Sequence, residues 1–111
     1  MGSRIVLGNL NIDRDSYRVD VGSRPVRLSY LEFEALSYLA ENAGRVVPPQ
    51  QLLAAVWGDC GEGSRRKLRV LISQLRKKVR ESQPWQVQTV TKRGYGLLPS
   101  ASESQGLERG A

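Results

Sequence analysis

The segment from Ser64 to about Ser82 constrains the fold of this chain more than any other, because its aliphatic and cationic residues fall on opposite sides of a helix. At about 100° per residue, the aliphatic side chains form one narrow stripe that must be buried against a core. The opposite side is polar and cationic and must remain at the surface. The stripe consists of Leu68, Ile72, Leu75 and Val79, with Leu71 at its edge, and the opposite side of Arg66, Lys67, Val70, Ser73, Gln74 and Lys77.

Positive charge is concentrated around this helix. The chain has 17 Lys and Arg against 11 Asp and Glu, a net charge of +6 and a pI of about 10.0. Ten of the 17 cations lie between Arg65 and Arg93, where Glu81 is the only acid. A solvated helix usually interleaves acids with bases, because like charges one turn apart repel each other. The acid-free side therefore favours a polyanionic ligand, either nucleic acid or an anionic membrane surface, over simple solvation.

Composition argues against several classes of protein. The chain has no His and one Cys, so a Ser-His-Asp triad, a Cys-His nucleophile and an internal disulfide are excluded, and we expect no catalytic residues, cofactor or metal. Apolar runs fall well short of the roughly 20 residues of a membrane span, and no signal-peptide pattern is present. We therefore expect a cytoplasmic chain without a membrane segment. Cys60 is interpreted as an incidental exposed thiol, with a redox sensor as the less favoured alternative.

The first part of the chain predicts a small antiparallel meander covered by a helix. Apolar residues alternate from Ile5 to Leu28, with turns at 13–16 and 22–25. The sequence Ser29-Tyr30-Leu31-Glu32 is a capping box that begins the first helix, and 42–44 predict a left-handed C-cap. The alternating set is Ile5, Leu7, Leu10, Ile12, Tyr17, Val19, Val21, Val26 and Leu28.

The remaining segments complete a single α+β domain. A second helix is predicted from about Pro49 to Trp57, with Pro at its first position and no side-chain cap from Pro48. Strands at 86–90 and 95–98 are joined by the turn 91–94 into a hairpin. The prediction is a winged helix-turn-helix: an N-terminal antiparallel β-meander, three helices and a C-terminal β-hairpin wing, spanning 1–98, followed by a disordered tail, 99–111.

Such a helix fits the major groove of duplex DNA. Arg66 is suited to guanine, Gln74 to adenine and Val70 to a thymine methyl. Lys67, Lys77 and Arg80 are better suited to phosphates, which contribute affinity without sequence choice. At the hairpin tip, the expected minor-groove or phosphate contacts are Lys92 and Arg93, with the hydroxyls of Thr89 and Thr91.

Several segments resemble the OmpR/PhoB family of winged-helix effector domains, and the likeness covers roughly residues 4 to 98. RPVRLSYLEFEALSYLAENAGRVV is similar to the family's first helix with its flanks, and QLLAAVWG to its second. LISQLRKKV is similar to the recognition helix and TVTKRGYGL to the wing. The chain departs from the family at Arg69, where an acid is usual, and at Leu71, where His is frequent. The operator therefore cannot be inferred from any relative.

The resemblance implies bacterial transcription regulation by binding double-stranded promoter repeats, with a second copy alongside on DNA. It also implies contact with RNA polymerase through the loop Gly58, Asp59, Cys60, Gly61, Glu62 and Gly63. A receiver domain usually precedes such modules, and whether this chain is an excised effector domain or a stand-alone relative stays open. The base-reading residues that the resemblance implies are Arg66, Arg69, Val70, Ser73 and Gln74, and the residues at backbone or minor-groove positions are Trp57, Thr89, Lys92, Arg93 and Tyr95. The cationic helix and the hairpin tip add Arg65, Lys67, Lys77 and Thr91 to the predicted DNA contacts.

Two alternatives accompany this interpretation. The aromatic residues Trp57, Phe33, Tyr38 and Tyr95 fit core positions better than ligand contacts, and Trp85 is expected to shield the base of the hairpin. The rival function is a winged-helix protein-interaction module whose basic side binds an acidic partner such as RNA polymerase.

Overall fold

A computed structural model describes residues 3–58 and 64–100 of the chain. The predicted α+β order is confirmed: a four-stranded sheet, three helices and a two-stranded hairpin. The part of the chain that the structure describes contains no helix long and apolar enough to cross a membrane. The elements are β1 (Arg4–Leu7), β2 (Leu10–Asp13), β3 (Arg18–Val21), β4 (Arg24–Val26), α1 (Tyr30–Glu41), α2 (Pro49–Trp57), α3 (Ser64–Lys78), β5 (Trp85–Val90) and β6 (Gly94–Pro99).

The N-terminal strands form an antiparallel meander in chain order, with Leu10 opposite Val21 and Ile12 opposite Val19. These four side chains are buried, so the alternation seen in the sequence marks the inner side of the sheet. Contrary to the prediction, Tyr17 does not belong to this alternating set. It lies in the β2–β3 turn with a φ of 54° and is 57% exposed, because the turn extends one residue further than its polar cluster.

The capping box of α1 is present as predicted: Ser29 Oγ accepts from the Glu32 N–H at 3.2 Å, and Glu32 Oε1 accepts from the Ser29 N–H at 2.9 Å. The predicted segment 42–44 ends α1 and contains a left-handed residue, Gly44, which lies two positions after the C-cap residue Asn42 with its φ of −115°. Helix α2 begins at Pro49 without a side-chain cap, as expected.

Helix α3 ends at Lys78, four residues before the predicted end. Val79 N–H still donates to Leu75 O, but Ser82 N–H donates to Val79 O in a tighter turn. The backbone beyond this turn bonds to the N-terminal sheet instead of continuing a helix, and Pro84 disfavours helical geometry in the residue before it. The segment 79–84 therefore connects α3 to the hairpin.

The hairpin is slightly longer than predicted, with Trp85 opposite Pro99 and Val90 opposite Gly94. Its outer strand β6 bonds to the α1–α2 connection: Val47 N–H donates to Tyr95 O at 2.7 Å, and Tyr95 N–H to Val47 O at 3.0 Å. These bonds attach the hairpin to the helical part of the domain. Of the predicted tail, residues 101–111 lie outside the described residues.

The core lies between the sheet, the helices and the base of the hairpin. Phe33 is buried as expected, whereas Tyr38, Trp57, Trp85 and Tyr95 are half-buried against the core. All of the predicted aliphatic residues of α3 are buried. The fully buried large residues include Leu10, Ile12, Leu36, Leu39, Leu52, Leu53, Leu68, Ile72, Leu75, Val79 and Leu97.

Candidate nucleic-acid interface

The outward side of α3 is a continuous exposed surface without an acidic residue. Leu68 and Leu75 are fully buried on the inner side, whereas Val70 is 52% exposed on the outer side. This division follows from the sequence, since the aliphatic stripe fixes the rotation of the helix. The outer side, which we call the cationic face, consists of the exposed residues Arg65, Arg66, Lys67, Arg69, Val70, Ser73, Gln74 and Lys77.

Most of the surrounding cations have no ion-pair partner. Among the cations from Arg65 to Arg93, only Lys78 forms a salt bridge within residues 3–58 and 64–100. Glu81 does not neutralise the cationic face, because its carboxylate faces Arg24 at 3.5 Å. The positive charge of α3 is thus available to an anionic ligand.

Lys78 is the exception that the sequence did not reveal. Its Nζ lies 2.7 Å from Glu32 Oε1 on α1, and the Glu32 side chain is only 3% exposed. One carboxylate thereby caps α1 and binds the last turn of α3. Burial raises the pKa of Glu32, but the hydrogen bonds from Lys78 and Ser29 outweigh it, and the pKa lies below its ordinary value.

A groove of about 620 Å³ runs between α3 and β5. One wall comes from the helix and contributes Ser73 and Lys77 from the cationic face. The other wall comes from the hairpin and contributes Thr89. The groove therefore brings together predicted site residues from two separate parts of the sequence. Its full lining is Ser73, Arg76, Lys77, Val79, Arg80, Gln86, Val87, Gln88 and Thr89.

Three polar lining residues, Arg76, Gln86 and Gln88, were not among the predicted contacts. Gln86 and Gln88 flank the buried Val87 in β5 and point away from it, so the alternation of the sequence QVQTV already contained this signal. Arg76 lies at the edge of the cationic face. Its place beside the hairpin depends on how α3 packs, which the sequence alone does not give.

The hairpin tip presents Thr91, Lys92 and Arg93 to solvent. Arg93 N–H donates to Val90 O at 2.9 Å and closes the turn, in which Lys92 has a φ of 64°. Gly94, the last residue of the predicted turn, also has a positive φ, 144°, whereas the residue in the left-handed helical region is Lys92.

Gly94 has a steric role as well. A Cβ on this residue would lie 2.0 Å from Val47 O, and such a contact cannot be relieved by moving a side chain. The close approach of the two backbones at Gly94 therefore fixes the hairpin against the α1–α2 connection.

The remaining predicted contacts divide into two groups. Trp57 and Tyr95 are half-buried against the core, which leaves only part of each ring accessible. Gly58, with a φ of 91°, ends α2 and begins the predicted polymerase-contact loop. The rest of that loop, Asp59 to Gly63, lies outside the described residues.

Residues 23–97 match the family model described as "Transcriptional regulatory protein, C terminal". This match covers the sheet edge, all three helices and the hairpin. The chain belongs to this family.

Curated relatives and solved structures agree with this OmpR/PhoB-type assignment. The probable transcriptional regulatory protein TcrX of Mycobacterium tuberculosis is 34% identical over 99 residues, covering 89% of this chain and 42% of TcrX. The crystal structure of the Klebsiella pneumoniae RstA DNA-binding domain in complex with the RstA box has a TM-score of 0.78 and 34% identity, covering 88% of this chain and 99% of that chain. Response regulator DrrB, a Thermotoga maritima OmpR/PhoB homolog, has a TM-score of 0.75 and 31% identity, covering 86% and 44%.

The chain spans about two-fifths of the length of the curated relatives that it matches. It corresponds almost entirely to the isolated DNA-binding domain of RstA. This chain is therefore a winged helix-turn-helix domain of the OmpR/PhoB type, with exposed cationic residues on its third helix and at its hairpin tip.

Proposed function

We propose that this domain binds duplex DNA in a sequence-specific manner for transcription regulation, with α3 in the major groove and the hairpin tip 91–94 in the adjacent minor groove. The observation that carries the proposal is the acid-free cationic face of α3, which is exposed and largely without ion-pair partners among the described residues. The similarity to the RstA domain, which was solved with its DNA box, supports it.

The residues of the cationic face divide by chemistry into base-reading and phosphate-binding groups. Arg66, Val70 and Gln74 are proposed to contact base edges, because a guanidinium, a branched apolar group and a carboxamide match guanine, a thymine methyl and adenine. Ser73, which lines the groove, and Arg69, one turn before it, complete the base-reading set. Arg65, Lys67 and Lys77 are proposed to bind phosphates.

The groove between α3 and β5 suits the phosphate backbone that separates the two DNA grooves. With α3 in one DNA groove and the hairpin in the next, the phosphate backbone between the two grooves must pass between α3 and the hairpin. Arg76 and Arg80 line the groove on the helix side, and Gln88 and Thr89 on the hairpin side. At the tip, Thr91, Lys92 and Arg93 are proposed to enter the minor groove, with the accessible edges of Trp57 and Tyr95 as flanking contacts.

Two partners besides DNA belong to the proposal through the family. RNA polymerase is proposed to contact the loop Gly58–Gly63, and a second copy to bind beside the first on repeated DNA sites. The spacing of selected sites tests binding of the second copy, and transcription with a loop variant tests the contact with RNA polymerase.

The experiment that tests DNA recognition begins by selecting bound sites from a random duplex library. The affinity for the selected site and for unrelated DNA is then measured by fluorescence anisotropy at several salt concentrations. Arg66→Ala is expected to weaken the selected site about 5- to 150-fold while leaving unrelated DNA nearly unchanged, because a base contact contributes roughly 1–3 kcal/mol. Gln74→Ala should behave similarly.

Lys77→Ala is expected to weaken both DNAs alike and to reduce the salt slope by about 1, the signature of a lost phosphate contact. Arg18→Ala removes the same charge from an exposed position of β3 and serves as the control. If the three α3 variants bind like the parent domain, or if the domain selects no site, the proposal is overturned. Retained binding to an acidic protein in that case would favour the interaction module.

A further inference from the structure

We propose that Asn9, in the β1–β2 turn, is a positioning residue that aligns α3 and the hairpin for simultaneous contact with DNA. The inference rests on the proposed function but concerns residues outside the cationic face. It assigns to the N-terminal sheet a role in DNA recognition without any contact with DNA.

The contacts of Asn9 converge on the segment 79–84 that connects α3 to β5. Asn9 N–H donates to Gln83 O at 3.0 Å, and Gln83 N–H donates to Asn9 Oδ1 at 2.7 Å. Asn9 Nδ2 donates to Glu81 O at 3.2 Å. On its other side, Asn9 O accepts from Gly22 N–H at 2.8 Å, which ties the residue to the β3–β4 turn. Three of its polar groups thus join the sheet to this connection, and the fourth, its carbonyl, holds Asn9 to the sheet itself.

The neighbouring glycine permits this close approach. A Cβ on Gly8 would lie 2.4 Å from Gln83 O and 2.5 Å from Pro84 Cδ. Only a residue without a side chain allows the β1–β2 turn to lie directly against the connection. The turn therefore acts as a clamp, which we define as Gly8 and Asn9 bound to residues 81–84.

Two ion pairs fix the same region from other elements. Lys78, in the last turn of α3, binds the buried Glu32 of α1, and Glu81 faces Arg24 of β4. The second pair is exposed and contributes little. The end of α3 is therefore held by both the sheet and α1. This region joins α3 to the hairpin, the two elements that are proposed to enter different DNA grooves.

The position of this connection determines whether both contacts can form at once. When helix and hairpin are held at a fixed separation, the second contact forms without a further loss of rotational freedom. If the clamp is loosened, the hairpin must be ordered relative to α3 each time the domain binds DNA. Loss of Asn9 should therefore reduce the contribution of the hairpin to affinity, not only the stability of the domain.

A double-mutant cycle separates these possibilities. The hairpin variant Lys92→Ala/Arg93→Ala is made in the parent domain and in Asn9→Ala, and the affinity for a selected duplex is measured well below both melting temperatures. The fold-loss of affinity caused by the hairpin substitution is expected to be at least about threefold smaller in the Asn9→Ala background than in the parent domain. Such non-additivity is typical of residues that are coupled through the structure. Additive losses would overturn the proposal.

Asn11→Ala is the matched control, because Asn11 is the same residue type two positions later and lines the outer side of the sheet. It should leave the hairpin contribution unchanged. Amide hydrogen exchange supplies an independent readout: Asn9→Ala should raise exchange at Gln83 N–H but not at Val79 N–H, which bonds to α3. Uniform acceleration would indicate general destabilisation and contradict the proposal.

Where Asn9→Ala does not fold, Asn9→Asp carries the same cycle, because it retains the acceptor for Gln83 N–H and loses the donor to Glu81 O. If the hairpin variant binds like the parent domain, the alignment has no role and this inference fails. The proposed function is judged separately by Arg66→Ala and Lys77→Ala, so the two failures are distinguishable.

Discussion

Glu32→Ala is expected to destabilise the domain by about 2–3 kcal/mol, although Glu32 lies outside the cationic face. The substitution removes the acceptor for Ser29 N–H at the α1 N-terminus, a cap interaction of about 1 kcal/mol. It also removes the hydrogen bond from Lys78, and such bonds to charged groups contribute about 1.5–3 kcal/mol. The lower part of that range applies, because the Lys78 side chain is 43% exposed and water replaces its partner.

Glu32→Gln separates the two contributions. Its amide oxygen still accepts from Ser29 N–H, so only the charge opposite Lys78 is lost, and we expect about 1–2 kcal/mol. Glu34→Ala removes the same charge from the same helix and is the control, since Glu34 has no ion pair within the described residues. Urea unfolding at pH 7 measures all three variants. For a domain of this size, each kcal/mol corresponds to a melting-temperature shift of about 4–8 °C.

The pH dependence provides a second check with a defined sign. The folded-state pKa of Glu32 is lowered, so its stabilisation is fully present above the unfolded value of about 4.3 and is lost as the pH falls through the folded value. The stability difference between the parent domain and Glu32→Gln should therefore shrink below about pH 4. A Glu32→Gln domain as stable as the parent at pH 7, or a difference that stays constant from pH 7 to pH 3, would refute this reasoning.

Three further predictions test the packing, two of them with a control substitution. Gly94→Ala should lower the free energy of unfolding by about 3–5 kcal/mol in denaturant unfolding, because it strains the backbone and breaks two hydrogen bonds to the α1–α2 connection. The control Gly44→Ala, whose Cβ meets open space, should lower it by only about 1–2 kcal/mol. Equal losses would contradict the steric argument. Leu75→Ala should destabilise the domain by about 2–5 kcal/mol, because Leu75 is fully buried. Val70→Ala should change the stability by no more than about 0.5 kcal/mol, because Val70 is exposed. Similar melting temperatures for the two variants would mean that α3 is rotated differently. Ser37→Ala should stabilise the domain by about 0.5–1 kcal/mol in calorimetry, since the Ser37 hydroxyl is buried without a hydrogen-bond partner in the described structure; a marked loss of stability would reveal an unrecognised partner.

Local patterns predicted the elements well because each is encoded by neighbouring residues. The aliphatic stripe from Leu68 to Leu75 fixed the rotation of α3, and the Ser29–Glu32 capping box located the start of α1 within one residue. The hairpin was predicted from two short strand segments, 86–90 and 95–98, on either side of the turn 91–94. The cationic face could be predicted for the same reason, since periodicity alone decides which side chains are exposed.

Features that depend on distant pairs could not be predicted. The partner of Lys78 lies 46 residues away, and those of the Asn9 side chain 72 and 74 residues away. No local spacing reveals which strand turn meets the end of a helix. The early end of α3 belongs in part to this class, because the backbone of Glu81 and Gln83 bonds to Asn9 instead of continuing the helix.

Because Lys92 is proposed to contact DNA, its left-handed backbone sets the stability of the turn against ligand binding at one position. A lysine with a φ of 64° occupies a turn position that glycine or asparagine would fill with less strain. Selection for heat tolerance alone would tend to replace it, and each such replacement would remove a cation from the hairpin tip. Retention of lysine would then report selection by the ligand, which makes position 92 a useful marker when variants of this domain are compared.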